Sequence, residues 1–434
     1  MIAYYLEKKF DWNAEIIEIS GSVVDDVLRY KPDIVCIPKF NFGPIYQLLY
    51  QLNNIKTVLI DVEGNVGSEI SYRILSSPWL VFFWNEKNYE NNIKKLPQQS
   101  KAIIAGCQRV DFFKPELVEL QRSQLLKDYF RKDLLGKKIV MICSSAQDTH
   151  HSKDELRSLV KYKKKLFTNS ISIYEHVAYK SWQLEKCKEI VKGIIDNTNY
   201  LVIIRPHPRE RYENTWLNFL IENNHGRIFL SKNEPIELSL SISDFHLAFK
   251  GCQTTTDATL LNVKSLQLFN PDFKDINAAT DRDSLEVDLV SNFADINKFL
   301  DKNKACKNLN KNNLDKLIKL FGNFSININE NIASYIDAEF KHSRKYDAIK
   351  LGLGSFFKNI SYFFPRLIKY FITKNNTIKD YDNLSFFDTE IMKYEFTLNS
   401  FVLRYGRIKD PNLIKGYKAK YFKLFDEYEK VKKG

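Results

Sequence analysis

The sequence predicts an α/β protein made of two Rossmann-like parallel-sheet domains in tandem, followed by a basic helical segment. Three observations carry this. Short apolar runs alternate with helix-like segments over residues 12–135. A second series of the same kind runs from about Lys137 to about Glu330. Beyond that the chain changes character, with aromatic residues and Lys or Arg interleaved at helical spacings. Strands buried on both faces by helices read as continuous apolar runs, which is how these strands read.

In the first series AEIIEIS is strand-like, and SVVDDVLRY is a helix candidate with Ser22 at the cap position. DIVCIPKF (strand), GPIYQLLYQLNN (helix), KTVLIDVEG (strand), SEISYRIL (helix), LVFFWN (strand) and AIIAGC (strand) follow. LVELQRSQLLKDYFRKDLLGKK reads as a helix stopped at Gly136. The second series opens with the strand KIVMICSS. It continues through the long helix SWQLEKCKEIVKGIIDNTN and the buried strand YLVIIRPHP, and on to FHLAFKG, TTTDATLLN and KSLQLFNP. No short fixed repeat is present. The expected domains are residues 1–135, 136–330 and a tail at 331–434.

Composition bounds the function. The 434 residues carry 65 Lys+Arg and 53 Asp+Glu, a net charge of +12, with 44% hydrophobic residues. That is globular composition and excludes a disordered or fibrous chain. The six cysteines (Cys36, Cys107, Cys143, Cys187, Cys252 and Cys306) are scattered, several inside apolar runs, which suits buried free thiols in a reducing compartment. The start MIAYYLEKKFDWN lacks the charged-then-apolar pattern of a secretory leader. No uninterrupted apolar run is long enough to span a bilayer. Cytoplasmic residence is the expectation.

Residues 331–434 hold 20 Lys+Arg against 12 Asp+Glu, a net of +8 out of the +12. No nucleic-acid-binding module accompanies the charge, so no nucleic-acid partner is expected. In LGLGSFFKNISYFFPRLIKYFITK, Leu353, Phe356, Phe357, Ile360, Phe363, Phe364, Leu367 and Phe371 recur every three or four residues, punctuated by Lys358, Arg366, Lys369 and Lys374. This is an amphipathic helix, kinked or restarted at Pro365. Two readings stand: peripheral attachment to an anionic membrane surface, or packing of the aromatic face on the main body.

Four strand-end segments carry candidate chemistry. In LVIIRPHPRE two prolines stiffen a loop that presents Arg205 and His207 where a strand ends, a pair suited to an anion such as phosphate, or else an ordinary basic surface loop. In FHLAFKGCQTTTDATLLN, Gly251 and the hydroxyls of Thr254, Thr255 and Thr256 precede a helix whose N–H groups suit an anion. Asp257 there would bind ribose hydroxyls or serve as a first-turn acid facing the helix dipole. KTVLIDVEGNVGS ends a strand with Asp61 and Glu63, either general acid/base carboxylates or a plain turn. KIVMICSSAQDTHHSKDE places Ser144, Ser145 and Asp148 after the first strand of the second domain. The adjacent His150 and His151 have no second spaced set, so no metal is expected.

Taken together, KPDIVCIP, VLIDVEG, IIAGCQRVDFF, IIRPHPRE and GCQTTTDATLLN, over roughly residues 30–275, resemble the GT-B glycosyltransferases of bacterial surface-carbohydrate biosynthesis. They are similar to the retaining β-Kdo transferases, which use CMP-Kdo, and more distantly to bacterial sialyltransferases with an HP motif. The resemblance implies a GT-B fold, with two Rossmann-like domains facing across a cleft. It implies His207, helped by Arg205, at the nucleotide phosphate. Thr254, Thr255 and Thr256 would lie around that phosphate, Asp257 near the ribose, and Glu63 would be the general acid/base. Ser144, Ser145 and Gly251 complete the expected nucleotide site. Double displacement also needs a nucleophilic carboxylate, for which Asp148 is the candidate and Asp61 the substitute.

The expected activity is transfer of a CMP-activated ulosonic acid, Kdo favoured, to a lipid-linked glycan acceptor of capsule or lipopolysaccharide O-antigen, at the inner face of the cytoplasmic membrane. No cofactor or metal is expected, since a CMP-activated donor carries its own leaving group. The alternatives are a CDP-polyol, UDP- or GDP-sugar donor on the same fold, and a non-catalytic assembly protein with a degenerate GT-B fold.

Overall fold

The computed structural model describes residues 1–16, 23–37, 44–61, 78–94, 96, 98–129, 136–146, 149, 173–207, 210, 215–223, 226–231, 236–249, 252–270, 272, 285–300, 310–322, 326–342, 353, 356, 357, 360, 364 and 411–433. The chain forms two compact units. One comprises Met1–Asp111 together with Ile318–Gly434, and the other Phe112–Leu317.

The first unit holds a parallel sheet of β1 (Ile34–Ile37), β2 (Lys56–Ile60), β3 (Leu80–Phe83) and β4 (Lys101–Ile104), in the spatial order of the sequence. LVFF of β3 is buried throughout because it lies inside the sheet, whereas KAII of β4 is partly exposed at its edge. Around the sheet lie α1 (Ile2–Phe10), α2 (Val23–Tyr30), α3 (Pro44–Leu52) and α4 (Glu86–Ile93). Asn85 caps α4 by accepting from the Asn88 N–H at 2.9 Å.

The second unit opens with α5 (Pro115–Tyr129). Its sheet contains β5 (Ile139–Cys143), β6 (Leu201–Arg205), β7 (Ile228–Leu230), β8 (Phe245–Phe249), β9 (Lys264–Leu268) and β10 (Asp288–Val290). The strands lie in the order β7-β6-β5-β8-β9-β10, and every pairing is parallel. The helices are α6 (Ile173–Asn197), α7 (Leu217–Glu222), α8 (Ile236–Ser241), α9 (Gln253–Leu260) and α10 (Phe293–Leu300), with α11 (Lys311–Phe321) leading out.

Strand alternation splits the second core into two layers. Val140, Ile142, Val202, Ile204, Phe245 and Leu247 meet α6 through Leu184, Cys187, Ile190 and Ile194, and meet α10 through Ile296 and Phe299. Ile139, Met141, Cys143, Leu201, Ile203 and Ala248 instead meet Leu240 of α8, Ala258 of α9 and Leu126 of α5. The helix that follows β5 and the helix that follows β8 thus lie on opposite faces of the sheet. Each buried Leu, Ile or Val side chain contributes roughly 1.5–3 kcal/mol.

The unit borders differ from the expected divisions at 135 and 330. Helix α5 belongs with the second sheet because Leu126 packs on its core. The chain re-enters the first unit at Ile318. There α12 (Ile328–His342) starts beside Asp111, whose carboxylate accepts the N–H groups of Ile328 (3.2 Å) and Asn329 (2.7 Å). Gly106, at φ +91°, lies against this return. A Cβ there would fall 2.8 Å from Ile328 Cδ1 and 3.0 Å from the Phe321 carbonyl.

The end of the expected tail is helix α13 (Pro411–Lys433), and it packs on α1. Tyr4 and Tyr5 donate to Asp426 and Glu429 at 2.8 Å each, and Phe422 and Phe425 meet the Tyr4 ring edge-on. Of the strand expected at AEIIEIS, residues 14–16 form no regular element and the remainder lies outside the described residues, as does the helix expected at SEISYRIL. The fold class is the expected α/β one: each of the two units carries a parallel sheet flanked by helices.

Candidate functional site

In the second sheet the strand order reverses between β5 and β8. From β5 the chain proceeds outward to β6 and β7. It then returns to place β8 on the other side of β5 and proceeds to β9 and β10. The helices that follow β5 and β8 pack on opposite faces of the sheet, and the carboxyl ends of the strands at such a reversal are where sheets of this kind bind ligands. Residues 144–146, 205–207 and 252–257 lie at this edge.

The loops here are organised by Glu210, a buried carboxylate that the sequence reading had not singled out. One oxygen accepts the Ser144 hydroxyl (2.7 Å), the Ala146 N–H (3.0 Å) and the His207 N–H (3.2 Å). The other accepts the Thr215 hydroxyl (2.9 Å) and the Trp216 indole N–H (2.8 Å). Five donors substitute for lost hydration, which is what a buried carboxylate requires. Glu210 thereby ties the loop after β5 to the Pro-rich loop after β6. Its place three residues after His207 was the only sequence signal. Ser144 and Ala146 come from 66 and 64 positions earlier in the chain.

The expected site residues divide by orientation. Ser144 is buried, donating to Glu210 and accepting from the Trp216 indole at 3.2 Å. Ser145, its neighbour, receives the Lys180 ammonium of α6 at 2.8 Å. Arg205 ends β6 and directs a guanidinium N–H to Ser231 (2.9 Å), with Ser239 at 3.4 Å. These serines hold the planar fork on the α8 and α9 side of the sheet. His207 is half-buried, and its backbone is fixed by Glu210.

Helix α9 begins at Gln253, which places all three threonines in its first turn. Thr254 lies 3.0 Å from Nε2 of the buried His246 and 3.1 Å from Cys252 Sγ. Thr255 is buried and accepts from Gln267 of β9 at 3.1 Å. Thr256 is half-buried. Asp257 is the fifth residue of the helix and 3% exposed, so it lies one turn beyond the first-turn position expected for a dipole-facing acid. Gly251, Asp148, Lys250, His150 and His151 lie outside the described residues.

Beneath the edge Cys143, Cys252, Thr254, Arg205 and Asp257 converge. Burial pushes the Cys143 thiol up to about 12; Cys252 and Asp257 act in the same direction, and the Arg205 charge and a Thr254 hydrogen bond oppose them. Such a thiol stays protonated and unreactive at neutral pH. Burial also lowers His246 to about 3, so its imidazole is neutral, bridging Ser265 (2.7 Å) and Thr254 (3.0 Å).

In the first unit, Asp61 follows β2 directly but is only 2% exposed. Its carboxylate accepts from Asn88 of α4 at 3.2 Å, and its carbonyl accepts the Trp84 indole N–H at 2.6 Å. This is the setting of a structural strand-end acid. Glu63 lies outside the described residues. Among the described residues no cluster of three His, Cys, Asp or Glu side chains is arranged to hold a metal ion, and no helix is long and apolar enough to cross a membrane.

No protein-family profile matches the chain, and no curated protein matches it. Solved structures that are similar to it include the UDP-GlcNAc 2-epimerase of Methanocaldococcus jannaschii, with 15% identity over 73% of this chain and 79% of that one, at a TM-score of 0.42. The wall teichoic acid polymerase TagF shows 12% identity over 74% of each chain, at 0.47. The UDP-GlcNAc 2-epimerase of Neisseria meningitidis shows 15% identity over 79% of this chain and 89% of that one, at 0.41.

Proposed function

We propose that the protein is a glycosyltransferase that binds a nucleotide-activated sugar at the carboxyl edge of its second sheet. The donor is a CMP-activated ulosonic acid, with Kdo favoured. One observation supports the reading: Ser145 follows β5 and the first turn of α9 follows β8, the two strands between which the order reverses, while Arg205 ends the neighbouring β6 and His207 follows it. Basic side chains, hydroxyls and a helix N-terminus in one place suit a phosphate. The choice of CMP-Kdo and the roles below rest on the sequence resemblance.

In this reading His207 and Arg205 bind the donor phosphate, helped by the first turn of α9. Asp148 attacks the anomeric carbon, and CMP departs with the bonding electron pair. The acceptor hydroxyl then loses its proton to Glu63, and its oxygen displaces Asp148 from the sugar. The acceptor is a lipid-linked surface glycan. A membrane setting is supported by the segment near residues 353–364, where Leu353, Phe357, Ile360 and Phe364 are exposed at helical spacing within basic sequence.

The test is a thermal-shift panel of CMP, CDP, UMP, UDP and GDP on the wild type and on His207→Ala. Ligand binding to the folded state raises Tm. A CMP-selective rise that the substitution removes supports the reading and leads to a Kdo-transfer assay. A UDP- or GDP-selective rise changes the donor, and no rise with any nucleotide sinks the enzyme reading.

A further inference from the structure

We propose that Lys180 is a phosphate-binding residue of the donor site, reaching the strand ends from the face of the sheet opposite Arg205. This deepens the function proposed above and rests on it.

Helix α6 has 25 residues, and β5, which precedes it, has five. The part of α6 packed on the sheet runs from Leu184 to Ile195, about 16 Å at 1.5 Å per residue and close to the length of a five-residue strand. Lys180 lies one turn before that stretch, at the end of the helix nearest the carboxyl ends of the strands. Its contacts agree. The ammonium donates to Ser145, two residues past the end of β5, at 2.8 Å, and sits 6.0 Å from the ring centre of Phe249, the last residue of β8. It therefore spans the two strands between which the order reverses.

The loop that receives it is rigid on its other side. Ser144 and Ala146 are both fixed by Glu210. With Ser144 turned inward, Ser145 is the hydroxyl of that pair which meets a cation. Arg205 stands on the opposite face, held by Ser231 and Ser239. A phosphate at the crevice would thus lie between an ammonium from the α6 side and a guanidinium from the α8 side. Arginine supplies a directional fork, while lysine acts as a compact charge on a flexible stem, well suited to follow a phosphate as it binds.

The test is calorimetric titration of the same five nucleotides into wild type, Lys180→Met, Lys180→Arg and Lys180→Gln, at low and moderate salt. Loss of a charge-assisted contact weakens binding about tenfold or more. The expected result is that Lys180→Met and Lys180→Gln bind at least tenfold more weakly, with a shallower dependence on salt, at an unliganded Tm close to wild type. Lys180→Arg stays within a few-fold. The glutamine variant removes the charge while keeping a polar side chain with an N–H donor, so it carries the test if methionine disturbs the helix. Wild-type-like affinity and salt dependence in both neutral variants overturn the role of Lys180 alone. A wild type that binds none of the nucleotides overturns the donor site itself, and Lys180 with it.

Discussion

The two sheets are alike in their buried parallel strands and unlike at their carboxyl edges. In the first unit the four strands lie in sequence order, and the acid that follows β2, Asp61, turns inward to Asn88 and is almost fully buried. In the second the order reverses beside β5. There the edge carries Ser145 and His207 on loops anchored by Glu210, with Arg205 at the end of β6 and Lys180 reaching in from α6. A strand-end carboxylate or cation is therefore not by itself a site. Among the described strands, what separates the two edges is strand order, which decides whether adjacent connections part and leave room for a ligand.

Breaking the anchor should produce the largest effect. Glu210→Gln turns an amide NH2 toward donors that need an acceptor, leaving buried N–H or O–H groups unmatched. The expected loss is about 3 kcal/mol in urea unfolding, together with loss of nucleotide-induced stabilisation. Retention of both would mean that the loops after β5 and β6 are held by other contacts.

His246 sharpens the comparison through pH. Its folded-state pKa, about 3, lies below its ordinary value of 6.5, so the unfolded chain binds the proton first as pH falls. Stability is complete above about pH 6.5 and declines toward pH 3, by about 1.4 kcal/mol per pH unit from this group. Unfolding free energies from urea titrations at pH 7 and pH 5 should therefore differ by about 2 kcal/mol more in the wild type than in His246→Asn. Equal pH slopes in the two proteins would show that the imidazole is not buried neutral.

Gly106→Ala probes the first unit. The positive φ and the close approach of Ile328 predict a loss of about 2 kcal/mol, read as a lower urea midpoint. Nucleotide binding should survive, because the crevice belongs to the other unit.

The smallest effect is expected at Asp61. Asn keeps an acceptor for Asn88, so Asp61→Asn should cost about 1 kcal/mol and leave nucleotide affinity and turnover intact. A large loss of turnover with unchanged stability would restore Asp61 as a catalytic acid.

Much of this was legible in the chain. The runs KTVLI, LVFF, IVMIC, LVIIR, FHLAF and KSLQL became strands because an apolar run bounded by turn residues has few other ways to bury itself. Arg205 and His207 were legible because prolines stiffen the loop at the end of an apolar strand. The partners of these residues were not legible. Thr255, grouped in sequence with two other hydroxyls, packs inward to Gln267. Ser144 and Ser145, adjacent and chemically identical, point to different partners. The tail divides in the same way. Its last helix packs on α1 through Tyr4 and Tyr5, while Leu353, Phe357, Ile360 and Phe364, of similar composition, are exposed.

The sequence by itself determined the class of the fold, two parallel-sheet units, and the chemistry available at the strand ends. Both follow from local rules: the period of apolar residues, the stiffness of proline and the charge of a side chain. Only the tertiary structure decided which of those groups face a crevice and which are spent on the core. Strand order is set by pairings between distant segments, and Glu210 and Lys180 acquire their roles only when residues 64 to 66 and 35 positions away are brought against them.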